Sequence, residues 1–386
     1  MNICFISTFF EGATIPFAKH LHDLGNNVSM VFLAREGDTE AENLSFGKKV
    51  GGYGITALSE ENSMYKYIDK SVSINVAPYR LCKKKSIKGL MSYLKNEVVL
   101  RKIIEKISTK KFDIIYINVN EEWDSRLCNI LKREGFRNVV IAYHEILRNH
   151  VSDRRLKNVV VKTIKLGFPI VTYSVNTGKA LKKEFPEADI KTIYFGPFET
   201  YSLFDVSVPI INEPYSLFIG FIQPYKGLGF LYDTIVKNSE LIKNKIVIAG
   251  AGNDLALEKI KHDNRFILIN RFLKDEEFAN LVKYASCVIC PYVSGSQSGI
   301  THTAMVFGTP VIATKVGAFE EFIEQGKNGM LVDYGDTRAL AECISYYEND
   351  HNVNIFVPEK LKWRNIVREA IDFFEQFSKT NRPHAL

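Results

Sequence analysis

Short unbroken apolar runs alternate with helix-period stretches along this chain, and that alternation restricts its fold more than any other feature. In the first half the runs are Ile3 to Ile6, Asn27 to Leu33, Val72 to Val76, Lys111 to Asn118, Asn138 to Tyr143, Pro169 to Ser174 and Ile190 to Phe195. In the second half they are Leu217 to Ile222, Lys245 to Ala249, Phe266 to Ile269, Val288 to Pro291, Pro310 to Ala313 and Met330 to Val332. Helical spacing fills several gaps, as at Ile15 to Leu24, Trp123 to Arg133 and Arg154 to Leu166. A strand that is apolar throughout must be covered on both faces, so the pattern predicts an α/β protein with parallel sheets between helical layers.

At 386 residues the chain is long for one core. Gly196 to Pro214 carries Pro197, Pro209 and Pro214 with little periodicity and reads as an inter-domain connection. The expected division is a first Rossmann-like domain over 1–205 and a second over 206–364. The last helix, Leu361 to Phe377, exceeds what the second domain needs, so about 365–386 is expected to cross back and complete the first. Ala34 to Ser71 is expected to form loops and short strands without an order legible in the sequence.

Hydrophobic residues at 46% and charged residues at 24% exclude bulk disorder. No apolar run approaches the roughly 20 residues that span a bilayer. MNICFISTFF opens on a strand rather than a leader, and a cytoplasmic location is expected. The six cysteines, Cys4, Cys82, Cys128, Cys287, Cys290 and Cys343, are scattered through mostly apolar segments, as reduced core residues are. Cys287 and Cys290 have metal-like spacing, but zinc needs about four ligands and His302 alone is near, so no metal site is expected.

The chemistry concentrates from Pro291 to Ile323, PYVSGSQSGITHTAMVFGTPVIATKVGAFEEFI. Polar Gly and Ser residues follow one strand and precede a helix over Gly299 to Phe307; Gly317 then separates a second strand from a helix beginning at Phe319. Two such loops side by side form a mouth at the strand carboxyl ends, where helix N-termini favour phosphate. FIGFIQPYKGL, Phe218 to Leu228, places Gln223, Lys226 and Gly227 between a strand and a helix, a turn able to hold a diphosphate without a metal. Gly250 and Gly252 in VIAGAGND would admit a flat nucleotide, or simply make a turn. His144 ends a first-half strand and would point into the same cleft.

Arg80 to Lys111 holds eleven basic and two acidic residues, a local +9 against +6 for the whole chain. Leu90, Leu94, Val98, Ile103, Ile104 and Ile107 predict an apolar side, with lysines turned outward. The segment reads either as a solvated helix or as a patch for an anionic membrane or a pyrophosphate-linked acceptor. Nucleic acid is not expected, because the aromatic interleaving of a stacking platform is absent.

In order and spacing these stretches resemble glycosyltransferase family 4, whose members face two Rossmann-like domains in the GT-B arrangement. The resemblance rests on GFIQPYKGL, VIAGAGND, Asn270 to Phe272, Ser296 to Gly299 and GTPVIATKVGAFEEFI, with weaker support from Gly12 and Tyr143 to Glu145. It implies retaining transfer of a sugar from a nucleotide diphosphate sugar to a glycan or polyprenyl-pyrophosphate-linked acceptor, as in bacterial-type cell-surface polysaccharide synthesis, without metal or other cofactor. By the same resemblance Lys226 would bind the diphosphate, Gly12 would face it, and His144 would contact the donor sugar. Gln223 belongs to the lysine turn, Gly252 and Phe272 would border the base, and Ser298, Gly299 and Thr303 the sugar and ribose. The paired glutamates of many members are replaced by Gly295 and Thr303, and the Arg usual before the lysine by Phe221. Gln297, Ser298 and Gly299 match a branch that writes this loop Gln-Ser-Gly. Glu145 and Glu321 are the nearest carboxylates, with Glu321 expected as a cap at a helix start. A nucleotide-sugar epimerase of the same fold and a non-catalytic nucleotide-sugar-binding subunit are the alternatives.

Overall fold

The computed structural model describes residues 1–8, 11–38, 40–41, 44–45, 49–80, 86–119, 122–144, 154–295, 298–349 and 355–380. Cys82, Glu145, Ser296 and Gln297, all named above, lie outside these residues, as do Lys83 to Lys85 of the basic stretch.

The first domain runs β1 (Asn2–Ser7), α1 (Glu11–Asp23), β2 (Asn27–Arg35), β3 (Glu40–Ala41), β4 (Leu44–Ser45), β5 (Thr56–Ala57), β6 (Ser73–Tyr79) and α2 (Ile87–Lys110). It continues with β7 (Ile114–Asn118), α3 (Glu122–Arg133), β8 (Val139–Tyr143), α4 (Arg154–Ile164), β9 (Ile170–Thr172), α5 (Val175–Glu184) and β10 (Ile190–Thr192). The second runs β11 (Tyr215–Ile219), α6 (Leu228–Lys237), β12 (Lys245–Ala249), α7 (Leu257–Ile260), β13 (Phe266–Ile269), α8 (Asp275–Lys283) and β14 (Val288–Cys290). After these come α9 (Gly299–Phe307), β15 (Val311–Thr314), α10 (Phe319–Phe322), β16 (Gly329–Val332), α11 (Thr337–Asn349) and α12 (Trp363–Thr380).

Eight strands form the first sheet in the order β10-β9-β8-β7-β1-β2-β6-β5, and six form the second in the order β13-β12-β11-β14-β15-β16. Pairing is parallel in both except for β5 on β6. Alternate residues of one strand serve opposite cores. Ile3 and Phe5 pack with α1 and α12 through Phe17, Leu21, Trp363 and Phe374, while Cys4 and Ile6 face α2 and α3 through Ile103, Ile107 and Leu127. Burial on both faces is why these strands carry no polar alternation.

The last helix crosses back as expected. Trp363 donates its indole N–H to Pro197 O at 2.9 Å and stacks on Phe17 and His20 of α1. The buried thiols of Cys287 and Cys290 are pushed up to about 12, and among the described residues no cluster of three or more His, Cys, Asp or Glu side chains could hold a metal.

The helix α2 departs from its expected orientation. Its buried residues are Gly89, Asn96, Val99, Leu100, Ile103 and Ile107, whereas Leu90, Leu94 and Val98 are 60%, 51% and 42% exposed. Nine residues at roughly 100° each place Leu94 on the side opposite Ile103, so the apolar positions divide into two stripes. Arg80 also leaves the basic patch: it is buried, with Nε and Nη2 on the two carboxylate oxygens of Glu36 at 2.7 and 2.5 Å.

Candidate active site

Lys226 ends a single 3₁₀ turn (Pro224–Lys226) at the carboxyl end of β11. Gly227 closes that turn at φ 71°, and a Cβ there would lie 1.9 Å from Pro291 O, so only glycine lets the lysine turn pack against the strand end of β14. The Lys226 ammonium sits 5.4 Å from the Tyr292 ring centroid, and a Cβ on Gly220 would come within 3.0 Å of Nζ. The residue is 8% exposed, and burial lowers its pKa from the ordinary lysine value. Among the described residues no carboxylate or carbonyl pairs with this ammonium.

A cavity of about 300 Å³ opens beside it, walled by Gly12, Phe198, Tyr201, Gly220, Tyr225, Lys226, Phe278, Tyr292, Ser298, Gly299, Ile300 and Thr303. The wall is drawn from the first domain, the connecting segment and the second domain. None of these residues is acidic. Ser298 precedes α9, and a Cβ on Gly299 would meet Phe198 at 3.1 Å across the domain boundary. Thr303 turns its hydroxyl back to Gly299 O at 3.2 Å.

The structure thus gathers Lys226, Gly12, Ser298, Gly299 and Thr303 on one wall and leaves His144, Gln223, Gly252 and Phe272 off it. Gln223 is the extended residue before the lysine turn. At Gly252 packing alone requires glycine: a Cβ there would fall 2.0 Å from Ile222 O, with which its segment forms a β-bridge. Phe272 lies 83% exposed beyond β13. His144 is 6% exposed, with its ring 4.5 and 4.7 Å from those of Tyr173 and Phe195. Burial and the nearby His302 hold it well below the ordinary histidine value, so it is neutral.

His302 pins α9 to the connecting segment. Its Nδ1–H donates to Gly196 O at 3.0 Å, its ring stacks on Phe198, and its carbonyl accepts from the Phe198 N–H at 3.2 Å. Burial pulls its pKa down to about 4. Glu321 makes a second inter-domain tie: its carboxylate accepts from the N–H groups of Val175 and Asn176 at 2.6 and 2.8 Å, capping α5 of the opposite domain rather than its own helix. The aromatic wall of Phe198, Tyr201, Tyr225, Phe278 and Tyr292 escaped sequence reasoning. Its one available signal was the placement of Phe198, Tyr201, Tyr225 and Tyr292 just outside strands and regular helices.

Two parallel-stranded Rossmann-like domains sharing a cleft at their strand carboxyl ends define the GT-B class of fold. Within it, residues 213–350 match the family described as "Glycosyl transferases group 1". An uncharacterized glycosyltransferase of Methanocaldococcus jannaschii is 28% identical over 239 residues, 52% of this chain and 59% of that protein, so the chain spans less than two thirds of this relative's length. Sucrose-phosphate synthase of Thermosynechococcus elongatus superposes with a TM-score of 0.60 at 15% identity, covering 98% of this chain and 97% of the other. Anabaena HepE, solved in complex with UDP-glucose, gives 0.59 at 16% identity over 98% and 99%. These identities speak for the fold.

Proposed function

We propose that the whole chain is a group 1 glycosyltransferase that moves a hexosyl residue from a nucleotide diphosphate sugar to a glycan or polyprenyl-pyrophosphate-linked acceptor. Anomeric configuration is retained, and cell-surface polysaccharide synthesis is the setting. The observation that carries this reading is Lys226: a buried ammonium that pairs with no carboxylate among the described residues, on a cavity wall that also holds the start of α9 and Gly12. Breaking the sugar–phosphate bond builds negative charge on the departing diphosphate, and Lys226 with the first amides of α9 would stabilise it in place, each oriented donor worth about 3 kcal/mol in a dry site. His144, at the carboxyl end of β8, is assigned to the sugar side of the donor, reached as the domains close and water is excluded. With no carboxylate among the described wall residues, the acceptor's proton is assigned to the leaving phosphate itself, which suits retention.

The test is release of nucleoside diphosphate from a panel of nucleotide sugars, with and without membrane extract as the source of lipid-linked acceptor. Lys226→Ala is expected to lower turnover by about 100-fold or more. Donors that bind but are never turned over would instead identify a nucleotide-sugar-binding subunit, and recovery of an epimerised sugar nucleotide would identify an epimerase.

A membrane-surface role for α2 has its own support. Ile87, Leu90, Met91 and Leu94 are all more than half exposed beside Lys88, Lys95 and Arg101, an apolar stripe with a basic border. Among the described residues no helix is long and apolar enough to cross a membrane. Co-flotation with anionic vesicles should be lost on Leu90→Glu with Leu94→Glu; equal flotation of wild type and variant would remove this role.

A further inference from the structure

Tyr292 is the residue on which the two anion-facing parts of the cavity converge. It follows β14, and its backbone is fixed where Thr314 of β15 donates its hydroxyl to Tyr292 O at 2.6 Å. Its ring is clamped by edge contacts with Tyr225 at 5.9 Å and Phe319 at 5.2 Å. One ring face carries the Lys226 ammonium, within cation–π range. Its hydroxyl lies 3.3 Å from Ser298 Oγ, directly before α9. Gly220 leaves room for the ammonium that a Cβ would meet at 3.0 Å, so Lys226 lies beside both that backbone and the ring with the cavity next to it.

Building on the glycosyl-transfer reading above, we propose that Tyr292 is a positioning residue for diphosphate recognition, its ring holding Lys226 and its hydroxyl holding Ser298 so that ammonium and helix start meet one ligand in register. None of the described residues of the cavity wall is acidic, and the neutral phenol organises the cationic side of the site without bringing a negative charge toward the phosphates. A side chain that merely filled the core would not need one polar and one cationic neighbour, both on the cavity wall.

The experiment is a pair of double-mutant cycles on the full chain, read as the dissociation constants of uridine diphosphate and inorganic pyrophosphate. Tyr292→Phe keeps the ring and is expected to weaken binding about threefold, no more than Ser298→Ala and with no further loss in the double variant. Tyr292→Leu removes both contacts and is expected to weaken binding about 30-fold in the wild-type background, yet only about threefold, the hydroxyl's share, when Lys226 is already alanine. Additive losses in both cycles would assign Tyr292 to general packing and overturn the proposal while leaving the glycosyl-transfer reading in place. Failure of the wild-type protein to bind either probe would end both. Because Tyr292→Phe preserves the ring packing, its cycle decides the hydroxyl's role even if Tyr292→Leu does not fold.

Discussion

Acid should weaken this protein through two buried imidazoles before it reaches the surface carboxylates. His302 is enclosed by Phe198, Phe322 and the Gly196 carbonyl, and burial holds it down at about 4. His144 is shifted in the same direction by burial and by His302. A depressed histidine takes up its proton more readily in the unfolded chain, so the stability tied to it is complete above the unfolded value and is lost as pH falls toward the folded one. With an unfolded value of about 6.5, His302 alone removes about 2 kcal/mol by about pH 5 and about 3 kcal/mol once both values are passed. His144 adds to this. Glu277 and Glu359, held at about 2 chiefly by hydrogen bonds from Arg271 and Lys362, lose their contribution only as pH falls through the ordinary carboxylate range and below; Glu348, raised by burial, gains stability as pH falls, opposite in sign to the histidines. Urea unfolding at about pH 7.5 and 5, for wild type and His302→Gln, reads the effect directly, since glutamine can still donate to Gly196 O but does not titrate. Wild type should lose about 2 kcal/mol more than the variant between the two pH values. Parallel losses would show that His302 is not held neutral by its surroundings.

Two further outcomes follow from single contacts. Gly227→Ala forces a left-handed backbone on alanine and drives its Cβ into Pro291 O, so it should cost at least about 2 kcal/mol in urea unfolding and weaken diphosphate binding through Lys226. Gly229→Ala, two residues later in α6 with nothing within 4 Å of the added carbon, should be neutral or stabilise by up to about 1 kcal/mol, and similar behaviour of the two variants would refute the steric account. Glu321→Ala should cost about 1 to 2 kcal/mol by stripping the acceptor from the Val175 and Asn176 N–H groups at the start of α5, whose own Ser174 cap remains, with Glu321→Gln between it and wild type because one acceptor oxygen survives. Unchanged thermal unfolding of both variants would show that the inter-domain cap contributes nothing.

The strands were legible because both faces of these sheets are covered: Ile114 to Asn118 is buried throughout, and a run of that kind has few other readings. The segment before β6 was not, since β3, β4 and β5 are two residues long and carry no periodicity to detect. The face of α2 failed for a related reason, because Leu90 and Leu94 share a composition with Ile103 and Ile107 and differ only in which stripe meets the sheet. At the site, glycine and lysine announced the turn after β11 because few residues suit a left-handed turn at a strand end. Aromatic residues announce nothing of the kind: Phe198 on the cavity wall and Phe195 in the stack beside His144 look alike in sequence, and only packing separates them. His302 drew notice only as a partner for Cys287 and Cys290, whereas its contacts are with the connecting segment.

The contrast between Arg80 and Lys226 bears most directly on what the cavity is for. The two side chains are about equally buried, at 5% and 8% exposure. Arg80 is held by a two-pronged carboxylate from Glu36, the arrangement that makes a buried cation tolerable. Lys226 has an aromatic face worth about 2 kcal/mol or somewhat more, against a desolvation cost of several. Left unmatched, a group in that position is stabilised either by releasing its proton or by the arrival of an anion. The neighbouring wall favours the second course, because it offers helix-start amides and, among its described residues, no carboxylate to repel a phosphate. On the proposed function, Lys226 would be more stable with a diphosphate beside it than without one, and that difference is what a departing diphosphate would draw on as its charge develops.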